Sequence, residues 1–284
     1  MRVIKRIGCA IRHPTNRSLE EFQTYWATHH GPLFTHTPDL LRYVQHITLT
    51  EAYGGTPAPT HDGVSMFWYA GMESVTDPPP SPKLADVVPQ SHTDTYEWYV
   101  RARRYGAPES MTLAETVIAD DRQLFDRSTD WPTDHRRSNV TATEQVVLEG
   151  TTSPSMVKAV YMVSRRPGLS VEEFQQRWRG EHARLVVQVP GLRRYVQNHA
   201  VLAAYGLATR QMTHDGFSEL WFDDLSSLQA AARTTEWQAA REDGERLFAE
   251  PVGLAIARER VQKEMTSGAV SAAVRSALAS AARA

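Results

Sequence analysis

Two histidines that occupy the same place in a repeated sequence are the first candidates for chemistry. His30 follows FQTYWATH and His182 follows FQQRWRGE, 152 residues later (182 − 30). An imidazole with its ordinary pKa of about 6.5 gives and takes protons near neutral pH, so either histidine can serve as a general acid or base. The alternative is a buried histidine that bonds a backbone carbonyl and holds a helix end against a sheet.

Two tyrosines and a glutamate are placed to assist these histidines. Tyr43 and Tyr195 lie in the two RYVQ segments, where a phenol can donate a hydrogen bond to a developing oxyanion or simply fill the core. Glu219 stands between Phe217 and Trp221 on an expected strand, and a carboxylate there is costly unless it is paired or protonated. It is predicted to couple with a histidine as an acid/base pair; a surface edge or a salt bridge to an arginine is the alternative.

A second group of residues is predicted to bind substrate. Tryptophans are mostly core residues, but some can form the wall of a flat pocket for an aromatic ligand. Each of the two THDG segments carries a histidine that could line a pocket mouth and an aspartate that, with the next glycine, favours a turn. The members of this group are Trp26, Trp68, Trp178, Trp221, His61, His214, Asp62 and Asp215.

Several kinds of site are not expected. The chain has 11 histidines, but no HxxxH or HxH pair, and the side chains of the adjacent His29 and His30 diverge, which argues against a transition-metal site. There is no glycine-rich phosphate loop, serine nucleophile elbow or dinucleotide fingerprint. Cys9 is the only cysteine, which excludes internal disulfides and zinc–thiolate clusters and fits a reducing cytoplasm.

Length and charge indicate the class of protein. The 284 residues are enough for two domains with separate cores, and a net charge of −2 gives no reason to expect nucleic acid or a membrane surface as a partner. No run of 18 apolar residues is present, and the apolar run near the start is too short for a secretory signal. We therefore expect a globular cytoplasmic protein.

A repeated helix has to position the two histidines. Ser18 with Glu21, and Ser170 with Glu173, form capping boxes that predict where the helices begin. A phenylalanine, a tryptophan and the histidine then recur at i, i+4 and i+8, which places them on one helix face. This spacing predicts that the histidine lies in the last helical turn.

Short apolar segments around each helix predict four strands per half. A THDG turn leads into VSMFWYA at 64–70 and into FSELWFD at 217–223. Large apolar residues alternate onto both faces of this third strand, so helices must cover one face and a second sheet the other. Each half is therefore predicted as an α+β, ferredoxin-like β-α-β-β-α-β unit, and two tandem units pack sheet to sheet as a pseudo-twofold barrel.

The repeat also predicts the domain borders. The first domain spans 1–150, with a proline-rich insertion at about 77–115, the second spans 156–265, and an alanine-rich tail follows at 266–284. Beyond the third strand the offset between the halves falls from 153 (216 − 63) to 123 (247 − 124), so the first half is longer.

These motifs resemble the EthD-domain family of the dimeric α+β barrel superfamily. The resemblance rests on SLEEFQTYWATHHGPL, LRYVQ and THDG in the first half, and on SVEEFQQRWRGEHARL, LRRYVQ and THDGFSELWF in the second. It implies a small-molecule pocket in each half, no metal or organic cofactor, and enzymes such as dehydratases and cyclases of aromatic or polyketide-like compounds. Family members are mostly single domains that pair as dimers, whereas this chain is a fused pair, for which a further homodimer is possible.

Three functions are compatible with this resemblance. The first is a cofactor-free lyase of the dehydratase or cyclase type, with His30 or His182 as the general acid/base and Tyr43, Tyr195 or Glu219 assisting. The second is a cofactor-independent oxygenase of electron-rich phenols. The third is a non-catalytic barrel that binds a hydrophobic metabolite or haem. Because Glu181–Arg184 departs from His29–Pro32, and Met66 stands where Glu219 stands in the copy, the two halves are not expected to be equivalent.

Overall fold

The strands and helices follow the duplicated sequence. The computed structural model describes residues 3–10, 17–36, 40–69, 139–205 and 214–264; the predicted insertion and tail lie outside the described residues. The strands are β1 (Ile4–Ala10), β2 (Leu40–Thr48), β3 (Gly63–Tyr69), β4 (Asn139–Leu148), β5 (Val157–Val163), β6 (Arg194–Ala200), β7 (Gly216–Phe222) and β8 (Gly253–Lys263). We refer to β1–β4 as the first half and to β5–β8 as the second half.

The helices of the two halves correspond where both are described. In the first half they are α1 (Leu19–Tyr25), a π-helical turn (Trp26–His30), α2 (Gly31–Leu33) and 3₁₀ turns at Phe34–His36 and Thr50–Gly54. In the second half they are α3 (Val171–Arg177), a π-helical turn (Trp178–His182), α4 (Ala183–Val186), α5 (Leu202–Tyr205), α6 (Leu225–Ala231) and α7 (Thr235–Leu247). None of these helices has the length and apolar character needed to cross a membrane.

The eight strands of the described residues form one closed antiparallel barrel. The order is β4-β1-β3-β2 in the first half and β8-β5-β7-β6 in the second, and the halves join through β2–β8 and β6–β4. The structure therefore confirms two ferredoxin-like units related by a pseudo-twofold axis. It adds that the facing sheets also share edge hydrogen bonds, which leaves neither sheet with an open edge in the barrel.

Both faces of the barrel sheet are covered, as the third strand predicted. Side chains from both halves, including Ile7, Met66 and Val160, meet in the barrel interior and are fully buried. The opposite face packs under the helices, where Tyr195 of β6 and Ala183 of α4 belong to the same apolar cluster. This alternation decides which residues can form a site together, because side chains on opposite faces of a sheet do not meet.

Two details of the helices differ from the sequence-based expectation. The sequence from Leu225 to Phe248 has few breakers and predicts one helix, but the helix breaks at Thr234, whose hydroxyl accepts a hydrogen bond from the Trp237 amide and caps α7. The histidines were expected in the last helical turn. Instead the helix continues past each of them, as α2 and α4.

Candidate active site

A π-helical turn presents each repeated histidine to the sheet. The helix before it begins at a capping box in which the serine hydroxyl accepts from the Glu amide and the Glu carboxylate accepts from the Ser amide; Ser18 and Ser170 both do this. The π-helical turn that begins at Trp26 ends at His30, and the one that begins at Trp178 ends at His182. Both histidines are buried. Single π-helical turns inside α-helices frequently mark functional sites.

A glutamine from the neighbouring strand fixes each π-helical turn. Gln45 Nε2 donates to the Trp26 carbonyl at 2.9 Å, and Gln197 Nε2 donates to the Trp178 carbonyl at 2.8 Å. The glutamine is the last residue of RYVQ, so this contact explains why that motif recurs together with the helix. The turn, and with it the direction of the histidine, is thus set by the sheet.

In the second half, the histidine forms a dyad with an aspartate. His182 Nδ1 lies 2.9 Å from Asp243 Oδ2, and both side chains are buried. The hydrogen bond from His182 lowers the pKa of Asp243, which is therefore ionised and accepts the Nδ1–H proton. In neutral His182 the other ring nitrogen, Nε2, then carries a lone pair, and among the described residues Asp243 is the only hydrogen-bond partner of this ring.

Aromatic rings surround this dyad. The edge of Phe248 meets His182 with ring centroids 5.1 Å apart, and Trp178 and Phe174 pack against the same Phe248. Trp178 thus belongs to the apolar layer beside the histidine, and its role in binding an aromatic ligand stays a prediction. Asp243 was missed from the sequence, although a signal exists: it lies on the buried stripe of α7 with Ala240 and Leu247.

The corresponding histidine of the first half lies in a similar layer. His30 is buried, and its ring meets Phe34 at 5.1 Å in an edge-on contact. The sequence places Asp120 at the position that matches Asp243 at the offset of 123 (243 − 123), but residue 120 lies outside the described ranges. The described contacts therefore define a complete dyad in the second half.

The two candidate tyrosines lie under the helices, on the same side of the sheet as the histidines. Tyr43 OH is 3.2 Å from Ser65 Oγ, and Tyr195 OH accepts a hydrogen bond from Gln197 Nε2 at 2.8 Å. Burial raises the pKa of Tyr195, so its hydroxyl stays protonated at neutral pH.

The THDG segments hold the chain rather than open a pocket. Asp62 accepts a hydrogen bond from Tyr53 OH, and Asp215 accepts from Tyr205 OH and from the Arg165 guanidinium. The glycines let a tryptophan ring approach, since a Cβ on Gly63 would lie 2.2 Å from Trp26 and one on Gly216 would lie 2.5 Å from Trp178. His61 and His214 are buried beside these turns and are not exposed at an opening.

Glu219 lies on the other side of the sheet, in a charged cluster inside the barrel. Lys158 Nζ is 2.6 Å from Glu219 Oε2, and Lys5 contacts the second oxygen, Oε1. Asn198 Nδ2 also donates to Oε1, at 2.8 Å. Burial raises the pKa of Glu219, but Lys158 and Lys5 lower it more, so the carboxylate is ionised. Glu219 is therefore paired with lysines, and its position inside the barrel separates it from His182.

The remaining members of this cluster were not predicted from the sequence. They are His46, Glu259 and Glu144, with Trp68 and Trp221 stacked over the ammonium groups of Lys5 and Lys158 at 4.6 and 3.9 Å. Trp68 and Trp221 consequently face the barrel interior and do not line the His182 site. A signal was present, since a lysine occurs at equivalent places in two otherwise largely apolar first strands (158 − 5 = 153).

Comparison with known proteins gives a family and a fold. The EthD domain model matches residues 15–92 and 166–251. A solved structure of an anthrone oxidase-like protein has 11% sequence identity and a TM-score of 0.52, and the match covers 94% of this chain and 96% of that chain. A protein from Fusobacterium nucleatum, provisionally named a monooxygenase, has 7% identity and a TM-score of 0.48 over 93% of this chain and 95% of that chain.

A smaller relative matches part of the chain. An ethyl tert-butyl ether D (EthD) family protein from Bacillus halodurans is 28% identical with a TM-score of 0.32; the match covers 37% of this chain and 99% of that chain. No curated protein matches the sequence. The expectation of a lyase is wrong on these comparisons, because the full-length match with a TM-score above 0.5 is an anthrone oxidase-like protein.

Proposed function

This chain belongs to the EthD-domain family, and we propose that it is a cofactor-independent oxygenase of electron-rich phenolic compounds, with His182 as its general base. The observation that carries the proposal is the buried dyad, in which Asp243 holds His182 Nδ1–H at 2.9 Å. An aspartate in this position fixes the tautomer and orientation of an imidazole and stabilises the imidazolium that forms when Nε2 takes a proton.

Among the described residues, His182 is a base with no second acid hydrogen-bonded to it. A dehydratase also needs a group that protonates the departing hydroxyl. Asp243 is ionised and occupied by Nδ1–H, and Glu219 lies inside the barrel, so the His182 imidazolium itself would have to serve. Within the described ranges no other titratable side chain hydrogen-bonds to His182. Oxygenation of an electron-rich carbon acid needs only one base in its first step, because molecular oxygen then accepts the electrons.

The proposed reaction balances without an external reductant. His182 Nε2 removes a proton from an activated CH₂ group that is conjugated with the phenolic ring, and the resulting carbanion transfers electrons to O₂ as a C–O bond forms. Protonation gives a hydroperoxide. Removal of the second C–H proton then breaks the O–O bond, forms C=O and releases hydroxide, which leaves as water. The carbon loses four electrons, and one O₂ takes up four.

Oxygen uptake with anthrone as the probe tests this proposal. Wild type is expected to consume one O₂ per anthrone and to form the quinone. His182→Gln should lower kcat by about 10²–10⁴-fold, the usual contribution of a general base. Asp243→Asn should lower it strongly as well, because an amide can favour the wrong imidazole tautomer.

His29→Gln is the matched control, because His29 is exposed and its Nδ1 contacts Thr28 Oγ1 at 2.8 Å rather than the site. It should retain the wild-type rate. Anthrone consumption without oxygen uptake, or an unchanged rate in His182→Gln after subtraction of autoxidation, would show that the proposal is wrong.

We further propose that the protein acts in the cytoplasm and that the fused barrel can form a homodimer. The single Cys9 supports a reducing compartment, and light scattering on the purified protein tests the dimer. A single-barrel mass at all concentrations would exclude the dimer and leave the proposed chemistry unaffected.

A further inference from the structure

The charged cluster inside the barrel is not used by the proposed oxygenase. Lys158 Nζ lies 2.7 Å from His46 Nε2 and 2.6 Å from Glu219 Oε2, and it also contacts Glu259 Oε1. The donor atoms of these three residues all lie within 4.8 Å of one another. The side chains of Lys158 and Glu219 are only 2% and 1% exposed, so protein atoms rather than water surround the ammonium.

The imidazole in this cluster is in the form that binds cations. His46 Nδ1 lies 3.2 Å from the Val64 carbonyl oxygen, which can only accept a hydrogen bond, so the proton is on Nδ1. His46 Nε2 then has a lone pair that points at Lys158 Nζ. Two ionised carboxylates complete the set, since the pKa values of Glu219 and Glu259 both lie below the ordinary value.

We propose that His46, Glu219 and Glu259 form a cation site whose resident cation is the Lys158 ammonium, and that the same three donors bind a divalent transition-metal ion when this ammonium is removed. One histidine and two carboxylates are ordinary ligands for zinc, at about 2.0–2.2 Å. The donors would therefore move inward by roughly 0.5 Å from their distances to Nζ. Asn198 Oδ1, which is buried and has no hydrogen-bond partner among the described residues, lies in the same cluster.

The pseudo-twofold axis supplies an internal control. Lys5 occupies the place in the first half that Lys158 occupies in the second, because each pairs with the equivalent tryptophan across its strand pair. Lys5 Nζ contacts Glu219 and lies 3.0 Å from Glu144 Oε2, but Asn198 stands where His46 stands in the other half. Removal of Lys5 therefore leaves two carboxylates and an amide, without an imidazole.

Titration with Co²⁺, followed by its visible absorption, tests the proposal. Lys158→Ala should bind one Co²⁺ on the order of 100-fold more tightly than wild type, and Zn²⁺ should displace it. Lys5→Ala, which removes the same charge from the pseudo-equivalent place, should bind no more tightly than wild type. The same holds for Lys158→Met, which removes the charge but fills the space, and for Lys158→Ala/Glu219→Gln, which lacks one ligand.

Equal cobalt affinity in wild type and folded Lys158→Ala would overturn the proposal. So would a Lys158→Ala/Glu219→Gln variant that binds cobalt as tightly as Lys158→Ala does. If Lys158→Ala is unfolded without metal, its recovery of native circular dichroism in excess Co²⁺ supports the site. Failure to refold in cobalt overturns it. These readouts do not depend on oxygen uptake.

Discussion

The two halves of the barrel use the same contacts to hold the backbone and different side chains to supply charge. Gln45 and Gln197 bond the π-helical turns at 2.9 and 2.8 Å, and the same capping box begins both helices. In the barrel interior, by contrast, Met66 of the first half occupies the position that Glu219 occupies in the second half. Duplication has thus preserved the residues that bond the backbone, and also the paired histidines and lysines, whereas the interior residues Glu219 and His46 each occur in one half only.

The largest effect is expected when the interior of the second half is made like that of the first. Glu219→Met copies Met66 and removes the carboxylate that bridges Lys5 and Lys158. Removal of one partner from a buried ion pair costs about 3–5 kcal/mol, because the remaining charge stays buried. The free energy of unfolding in urea should fall by about this amount. The loss is reduced because Lys5 keeps its contact with Glu144 and Lys158 keeps its contact with Glu259.

The reverse substitution sharpens this comparison. Met66→Glu adds a carboxylate to a cluster in which both lysines are already paired, so it should also destabilise the barrel. If Glu219→Met were as stable as wild type, the cluster would not act as a network of buried ion pairs. Replacing Lys5, Lys158 and Glu219 together by methionine should not restore wild-type stability, because Glu144 and Glu259 then lose their lysine partners.

A smaller effect is expected at the glutamines that hold the π-helical turns. Gln197 bonds the Trp178 carbonyl, the Tyr195 hydroxyl and His199 Nε2, whereas Gln45 bonds the Trp26 carbonyl and Gln262. Loss of a buried hydrogen-bond partner costs about 1–3 kcal/mol. Gln197→Leu should therefore lower the free energy of unfolding more than Gln45→Leu does, and equal losses would contradict the additional role of the second-half glutamine.

The fold could be predicted from the sequence because the repeat carries its local signals twice. Each capping box, each RYVQ and each THDG depends on residues close in sequence, and apolar groups on both faces of the third strand required a closed structure. The π-helical turns could not be predicted, since each depends on a glutamine 19 residues further on (45 − 26). The aspartate of the dyad lies 61 residues from its histidine (243 − 182), on a helix whose register the sequence alone does not relate to α3.

The charged cluster shows more clearly that contacts between residues far apart in the sequence could not be predicted. Alternation along the third strand predicted that Glu219 faces a covered interior, and its cost there predicted a partner. One of its two lysine partners, Lys5, lies 214 residues away (219 − 5) and reaches Glu219 only after the barrel closes. Histidine and arginine were the expected partners, and lysine was found because the first strands of both halves direct one lysine inward.

The smallest expected effect concerns the pH dependence of unfolding, where the halves also differ. Burial lowers the pKa of His46, and the adjacent Lys158 lowers it further, although Glu259 acts in the opposite direction. Burial, with a contribution from Arg179, lowers the pKa of His199 to about 3. The second half has Asn198 where the first has His46, and the first half has Ile47 where the second has His199 (199 − 152).

The sign of this effect follows from proton uptake by the unfolded chain. Unfolded histidine binds a proton at about pH 6.5, whereas these two buried rings do so only at lower pH, so their contribution to stability is full above about pH 6.5 and is lost as the pH falls through the folded values. The carboxylates Glu219 and Glu259, with lowered pKa values, add a loss only below about pH 4.5. Between about pH 6.5 and pH 4.5, the change in the free energy of unfolding therefore measures proton uptake by the histidines.

Urea unfolding at several pH values between about 7.5 and 5 measures this slope. His46→Asn and His199→Ile each copy the residue of the other half, and each should reduce the loss of stability on acidification, while the double variant should reduce it most. The comparison is made on the slope, because His46→Asn also removes the hydrogen bond from Lys158 and so lowers stability at every pH. A slope unchanged in both single variants would mean that the two rings take up protons at the same pH folded and unfolded, and the neutral, cation-binding form assigned to His46 would then be wrong.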